Sequence, residues 1–243
     1  MIAVLECFGE VSRIRSSTSE NRWPDILKLV AHQLRIPTSL IAGYTEMLAS
    51  DEIQRDHQRR KEILEEVRQS LRVLNRLAVE LQEAGRAASG TLTLRKEPVA
   101  VGALIEESLR LATPLCEFRR VGLEPSAPAA PAGRVIGDRF YLKMCLVNLI
   151  DNAAKFGKPG GTVRIITKPL GPLIEIRVAD EGMGLGPHAA RLFAPFAQGA
   201  HASEGVGLGL ALVKTIVEAH AGSIIWRSGK GSYVGFTIPW SPN

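Results

Sequence analysis

Asn148-Leu149-Ile150-Asp151-Asn152-Ala153-Ala154-Lys155-Phe156 lies inside a helical pattern predicted over 138–156. At the helical repeat, Asn148, Asn152 and Lys155 recur at i, i+4 and i+7 and so share one face. Two amides and an ammonium on that face suit a metal-bound polyphosphate, although a polar helix face taken alone is ordinary solvated surface. Outward from this stretch, β-prone runs (91–94, 161–167, 173–179, 223–227 and 233–238) alternate with helical patterns over 101–113, 138–156 and 208–221. The order β-α-(β)-α-β-β-α-β-β predicts helices packed on one face of a mixed sheet. The Pro/Ala run from Glu124 to Gly133 reads as a loop.

Two glycine clusters follow. Asp180-Glu181-Gly182-Met183-Gly184-Leu185-Gly186 comes directly after an apolar strand. Its glycines let the backbone turn tightly beside a ligand, and an Asp at the strand end can accept a hydrogen bond from an exocyclic amine. Gly205-Val206-Gly207-Leu208-Gly209-Leu210 opens into an apolar helix. The N–H groups and dipole at such an opening favour phosphate. It is neither a GxxxxGKS/T P-loop nor preceded by the strand that a dinucleotide fingerprint requires.

Upstream the texture is helical. Trp23-Pro24-Asp25 is a helix start, since Pro suits the first turn and an acid its positive end. Apolar residues from Ile26 to Leu48 then recur at three- and four-residue steps, interrupted by Pro37, which is expected to bend the helix. After a polar gap at 50–56, Ile63, Val67, Leu71, Leu74, Leu77 and Leu81 repeat close to every 3.5 residues, a coiled-coil-like seam. Two helices with one stripe each cannot bury those stripes alone, so a hairpin pairing with a second copy into a four-helix bundle is expected. The resulting division is a tail over 1–23, a helical hairpin over 24–90 and an α/β domain over 91–243.

Composition excludes several classes. With 243 residues, 45% apolar and 23% charged, the chain is neither disordered nor fibrous. The +5 net charge is spread on both sides of the hairpin boundary without a basic run, so no nucleic-acid arm is expected. Cys7, Cys116 and Cys145 form no CxxC pair, and the five histidines show no metal-ligand spacing. No stretch has the length of a membrane span, and the N-terminus does not read as a secretory signal, so a cytoplasmic location is expected.

Together and in this order, the three polar clusters resemble the N, G1 and G2 boxes of the GHKL ATPases, specifically the catalytic domain of bacterial sensor histidine kinases. Leu192-Phe193-Ala194-Pro195-Phe196 is similar to that family's F box, and Gly137 to Leu142 to the turn entering the N-box helix. Leu29-Val30-Ala31-His32-Gln33-Leu34-Arg35-Ile36-Pro37 resembles the H box of the dimerisation and phosphotransfer hairpin. The resemblance covers about 24–240. It implies an α+β chain, a dimeric four-helix bundle followed by a two-layer α/β sandwich.

It also implies ATP and Mg²⁺ as cofactors, a homodimer and a response-regulator receiver domain as partner; the signal is expected to come either from a sensory partner upstream or from a longer sensor of which this chain is the core. By the same resemblance His32 is the phosphoacceptor, and Asn152 holds Mg²⁺ with Asn148 near the phosphates. Lys155 counters phosphate charge and Asp180 reads the adenine amine. Gly182 and Gly184 shape that pocket, and Gly205, Gly207 and Gly209 admit the phosphate tail.

Two positions depart from the pattern. Gln33 stands where relatives carry Glu or Asp, so general-base assistance is weakened. Ile36 stands where most have Thr or Asn, so little phosphatase activity is expected. These departures keep open a histidine phosphotransfer or scaffold protein whose ATPase domain binds nucleotide but is catalytically poor. A GHKL serine kinase or mechanical ATPase is a third class, which the H-box hairpin disfavours.

Overall fold

The computed structural model describes residues 23–125, 131–186, 189–198, 206–229 and 232–242. The tail, but for Trp23, and Gly205 lie outside the described residues. The chain divides into two compact units: residues to Leu92 with Ala200–Leu208, and Thr93–Gly199 with Gly209–Asn243.

In the first unit α1 (Trp23–Ala49) and α3 (His57–Ala88) pack on each other, joined by the short α2 (Asp51–Arg55). Asp56 caps α3, its carboxylate accepting from the Arg59 N–H at 2.9 Å. α1 runs on through Pro37, whose missing N–H leaves the preceding turn short of a donor. The Thr38 hydroxyl donates to the neighbouring carbonyls of Leu34 and Arg35, each at 2.8 Å. Of the seam residues, Ile63, Leu77 and Leu81 are buried within the hairpin, whereas Leu71 is 46% exposed. Ile36, Leu40 and Met47 on α1 and Leu64 on α3 are exposed with it. The hairpin therefore consumes only part of its apolar surface.

The second unit is a sheet covered by helices. Its elements are β1 (Glu97–Ala100), α4 (Val101–Phe118), β2 (Gly122–Glu124), β3 (Gly133–Gly137), α5 (Arg139–Phe156), β4 (Thr162–Leu170) and β5 (Leu173–Ala179). A 3₁₀ turn at Ala189–Phe193, α6 (Gly209–Ala219), β6 (Ser223–Arg227) and β7 (Tyr233–Pro242) complete it. The strand order is β1-β3-β7-β5-β4-β2, with β6 also on β7, and only the β2–β4 pair is parallel. Period-two patterning sets the faces. Val163, Ile165, Ile174, Ile176, Val178, Phe236 and Ile238 are buried beneath the helices, and Arg164, Ile166 and Lys168 face outward. Each such fully buried aliphatic or aromatic side chain contributes roughly 1.5–3 kcal/mol. Gly171, at φ +62°, and Pro172 make the two-residue turn that joins β4 to β5.

Two expectations need correction. The run Thr91–Leu94 is not a strand; the first strand forms at Glu97–Ala100, where β3 supplies the ladder and Val99 pairs with Val135. The helix expected over 101–113 continues through Pro114 to Phe118, because Ala112 and Cys116 keep its apolar face buried for another turn.

One tie crosses the helix layer. The Asp138 N–H donates to Nε2 of buried His220 at 2.9 Å, and His220 Nδ1 lies 2.7 Å from the Ile216 carbonyl. An acceptor at Nε2 means that Nδ1 carries the proton. Burial lowers the His220 pKa, against the opposite pull of the Ile216 carbonyl. The unfolded chain thus binds this proton at a higher pH than the folded one, so stability falls as pH drops below the ordinary value of 6.5. Denaturant unfolding at pH 7.5 and 5.5 is expected to show a loss of up to about 1.4 kcal/mol per pH unit. That slope should be absent in His220→Gln; an unchanged slope would refute the assignment.

Candidate nucleotide site

α5 carries the site's polar face. Asp138 caps its first turn, Oδ1 accepting from the N–H groups of Phe140 at 3.0 Å and Tyr141 at 3.3 Å. Asp138 Oδ2 accepts from the Arg95 N–H at 2.8 Å, fixing where the helix begins. At its far end Gly157 closes the last turn on the Ala153 carbonyl at 2.8 Å. Asn148 is 93% buried, since only 7% of it is exposed, and Asn152 is half-buried. Lys155 is half-buried, its Nζ 4.8 Å from the centre of the Phe156 ring. Asp151 points differently, toward Arg119 just past α4, at 3.8 Å. Nearby Cys116 is pushed up to about 11, first by burial and then by Asp151, and is inert as a thiolate.

Steric contacts locate the glycine clusters against this helix. A Cβ built on Gly209 would sit 3.8 Å from Asn148 Cγ and 4.0 Å from Asn152 Nδ2, so the α6 opening faces the two amides. A Cβ on Gly182 would strike the Phe156 carbonyl oxygen and lie 3.0 Å from Gly157 Cα, so the turn after β5 is pressed onto the end of α5. Gly184 at φ +77° and Gly207 at φ +76° use conformations that glycine alone adopts freely. Gly184 is also crowded, since a Cβ there would meet Gly229 N at 3.0 Å. The structure therefore brings together Asn148, Asn152, Gly209, Gly157, Asp180 and Gly182. Gly207 groups with the first unit, as do His32, exposed on α1, and half-buried Gln33.

Asp180 is held in one pose. Its Oδ1 accepts from the Gly182 N–H at 2.7 Å and from the Ser232 hydroxyl at 3.0 Å, and its N–H donates to the Ser232 carbonyl. No partner for its other oxygen stands among the described residues. Ser232, only 2% exposed, escaped the sequence reading because it lies fifty-two residues from Asp180 with no local pattern to single it out. His220 escaped for the same reason. Within the F box, Phe193 is buried and its ring centre lies 5.3 Å from that of Trp226 on β6.

The family described as "Histidine kinase-, DNA gyrase B-, and HSP90-like ATPase" matches residues 137–242. Sensor protein SrrB of Staphylococcus aureus is 30% identical over 243 residues, covering 95% of this chain and 40% of SrrB. The mycobacterial sensor histidine kinase MprB is 29% identical with a TM-score of 0.54, over 60% of this chain and 100% of that structure. The Acinetobacter baumannii histidine kinase AdeS has the same fold at 24% identity and a TM-score of 0.62, over 86% of this chain and 97% of its own. The chain spans less than half the length of the curated relative SrrB. No helix among the described residues is long and apolar enough to cross a membrane. Residues 137–242 thus match the GHKL-type ATPases, and over most of its length the chain is similar to sensor histidine kinases.

Proposed function

We propose that this chain binds Mg²⁺-ATP in its second unit, phosphorylates His32 and passes the phosphoryl group to an aspartate of a response-regulator receiver domain. The observation that carries the reading is the convergence of Asn148, Asn152 and Gly209 on one side of α5 with Asp180 and Gly182 at its end. A half-buried carboxylate with one oxygen tied down and the other available fits an adenine amine. Amides beside a glycine-opened helix fit a phosphate tail. Among the described residues no cluster of three His, Cys, Asp or Glu is placed to hold a metal ion. Asn152 would therefore share Mg²⁺ with phosphate oxygens, the usual manner for that ion. Lys155 would offset phosphate charge. Bound ATP supplies the phosphoryl group, and exposed His32 supplies the imidazole nitrogen that receives it.

The domain division at 24–90 and 91–243 belongs to the same proposal, as does a homodimer through the hairpin. Exposed Ile36, Leu40, Met47, Leu64 and Leu71 support that pairing, since a lone hairpin leaves them in water. Ile36, 49% exposed, offers a nearby water no hydrogen bond, so we assign the chain little phosphatase activity.

The test is incubation with γ-labelled ATP and Mg²⁺. Acid-labile, base-stable label that vanishes in His32→Gln is the expected result. Label that persists in His32→Gln would point to a serine kinase instead. ATP binding without any label would favour the phosphotransfer or scaffold reading, which Gln33 alone recommends. In parallel, Asp180→Asn is expected to weaken ATP binding about 10- to 100-fold by calorimetric titration, the worth of one charge-assisted hydrogen bond. Undiminished affinity would remove Asp180 from the site.

A further inference from the structure

The face of α1 that carries His32 is cationic. Val30 and Pro37 are buried and Leu34 is half-buried, which sets the packed side of the helix. His32 lies on the opposite side together with Lys28 and Arg35, and all three are exposed. At about 100° per residue, Lys28 and Arg35 stand about 40° and 60° round the axis from His32, both in the same direction. One turn before and one turn after, their Cβ atoms come within about 5–6 Å of its own. Helical side chains lean toward the N-terminus. The imidazole therefore extends over the turn of Lys28, while Arg35 leans back over the turn of His32.

From Ile26 to Thr45 the chain carries these two cations and no acid; Asp25 precedes the stretch and Glu46 follows it. Among the described residues neither Lys28 nor Arg35 enters an ion pair or a side-chain hydrogen bond. The contrast with α3 is plain, since Arg59, Arg68, Arg72, Arg76 and Arg86 each meet a glutamate there. Gln33, the neighbour of His32, adds no charge of its own.

We propose that Lys28, together with Arg35, cradles the phosphoryl group once it is on His32 and holds it as the dianion. The inference rests on His32 as the phosphoacceptor. In the transfer an imidazole nitrogen bonds to the γ-phosphorus, the bond from that phosphorus to the ADP oxygen breaks, and the ring gives up its other proton to water. About two negative charges then stand where a neutral ring stood. The two cations gain the counter-charge that their own helix does not supply, and protein groups serve phosphoryl transfer chiefly in this way. A carboxylate at position 33 would offset half of the cradle's charge, whereas the amide leaves it whole. The cradle acts on the stability of the phosphorylated product, separately from the missing base.

The test uses the whole chain and phosphoramidate, which phosphorylates imidazole without ATP. Its N–P bond breaks, ammonia leaves with the ring's proton, and a new N–P bond forms on the histidine, so the nucleotide site plays no part. The phosphorus NMR signal of phospho-His32, assigned by its absence from His32→Gln, is followed against pH. One cation about 6 Å away in water weakens the phosphoryl group's hold on its last proton roughly threefold. The midpoint in the Lys28→Gln, Arg35→Gln double variant is therefore expected about one pH unit above the parent's, with the single variants between. Lys28→Arg should keep the parent's midpoint, and so should Arg110→Gln, at an exposed cation on α4. Glutamine matches lysine and arginine in helix propensity, and circular dichroism of each variant separates a lost cradle from a lost helix. Rising salt should narrow the difference. Equal midpoints in parent and double variant would overturn the proposal, as would an equal rise in Arg110→Gln. So would a His32 that takes no phosphoryl group while exposed His57 does, because a cationic cradle draws an anionic reagent. The kinase proposal fails separately, through absence of ATP-derived label on a His32 that still shows the lowered midpoint.

Discussion

Gln33→Glu is expected to raise the rate of His32 labelling by about 10²- to 10⁴-fold, the usual worth of a positioned general base. The imidazole must lose a proton as its nitrogen bonds to phosphorus. The residue beside His32 on α1 is half-buried, so its head group is partly ordered by the hairpin. As an amide it can orient the ring by a hydrogen bond, yet it neither takes the proton nor stabilises an imidazolium by charge. A carboxylate of nearly the same shape does both. Single-turnover labelling at saturating ATP isolates the chemical step. If Gln33→Glu labels no faster than the parent, another base or water already does this work and Gln33 is not the limiting group.

Gly182→Ala is expected to weaken nucleotide binding by at least about 10- to 100-fold. The new methyl would collide with the Phe156 carbonyl oxygen, approach Asp180 Oδ1 to 2.8 Å and Gly157 Cα to 3.0 Å. Two of these three are backbone and cannot swing aside, so the turn itself must lift off α5. Lifting it breaks the Gly182 N–H bond that fixes Asp180. Overpacking of this kind costs about 1–3 kcal/mol, which corresponds to roughly a 10- to 100-fold loss of ATP affinity before any misplacement of Asp180 is counted. Gly102→Ala is the control: it sits in α4 with nothing within 4 Å of the new methyl, and it should be neutral or mildly stabilising. Calorimetry with ADP and thermal unfolding of both variants decide the matter. Equal affinities would mean that the turn has room the structure denies.

Much of this was legible in the chain because the signals are local. The i, i+4, i+7 spacing of Asn148, Asn152 and Lys155 is carried by one helix, and the alternation of β4 and β5 by single strands. What local pattern could not supply was pairing across distance. Thr91–Leu94 has strand propensity but joins no ladder among the described residues, whereas Glu97–Ala100, with a proline and a glutamate, pairs with β3. Propensity yields to partners. The helical pattern expected to end at 113 runs on through Pro114, because burial of Ala112 and Cys116 carries α4 past it. Ser232 and His220 matter only through Asp180 and Asp138, which sequence separation hides.

The two-residue turn at Gly171-Pro172 also orders the assembly of the second unit in time. β4 and β5 meet with almost no loop to close, so their ladder forms on the microsecond scale. β7 pairs Tyr233 with Ala179 only after some fifty intervening residues have been gathered in. The sheet is therefore seeded at its β4–β5 edge and completed at its centre, so that β5 waits with one side open until β7 arrives. A φ-value close to one at Gly171 and close to zero at Phe236 would be the signature of that sequence of events.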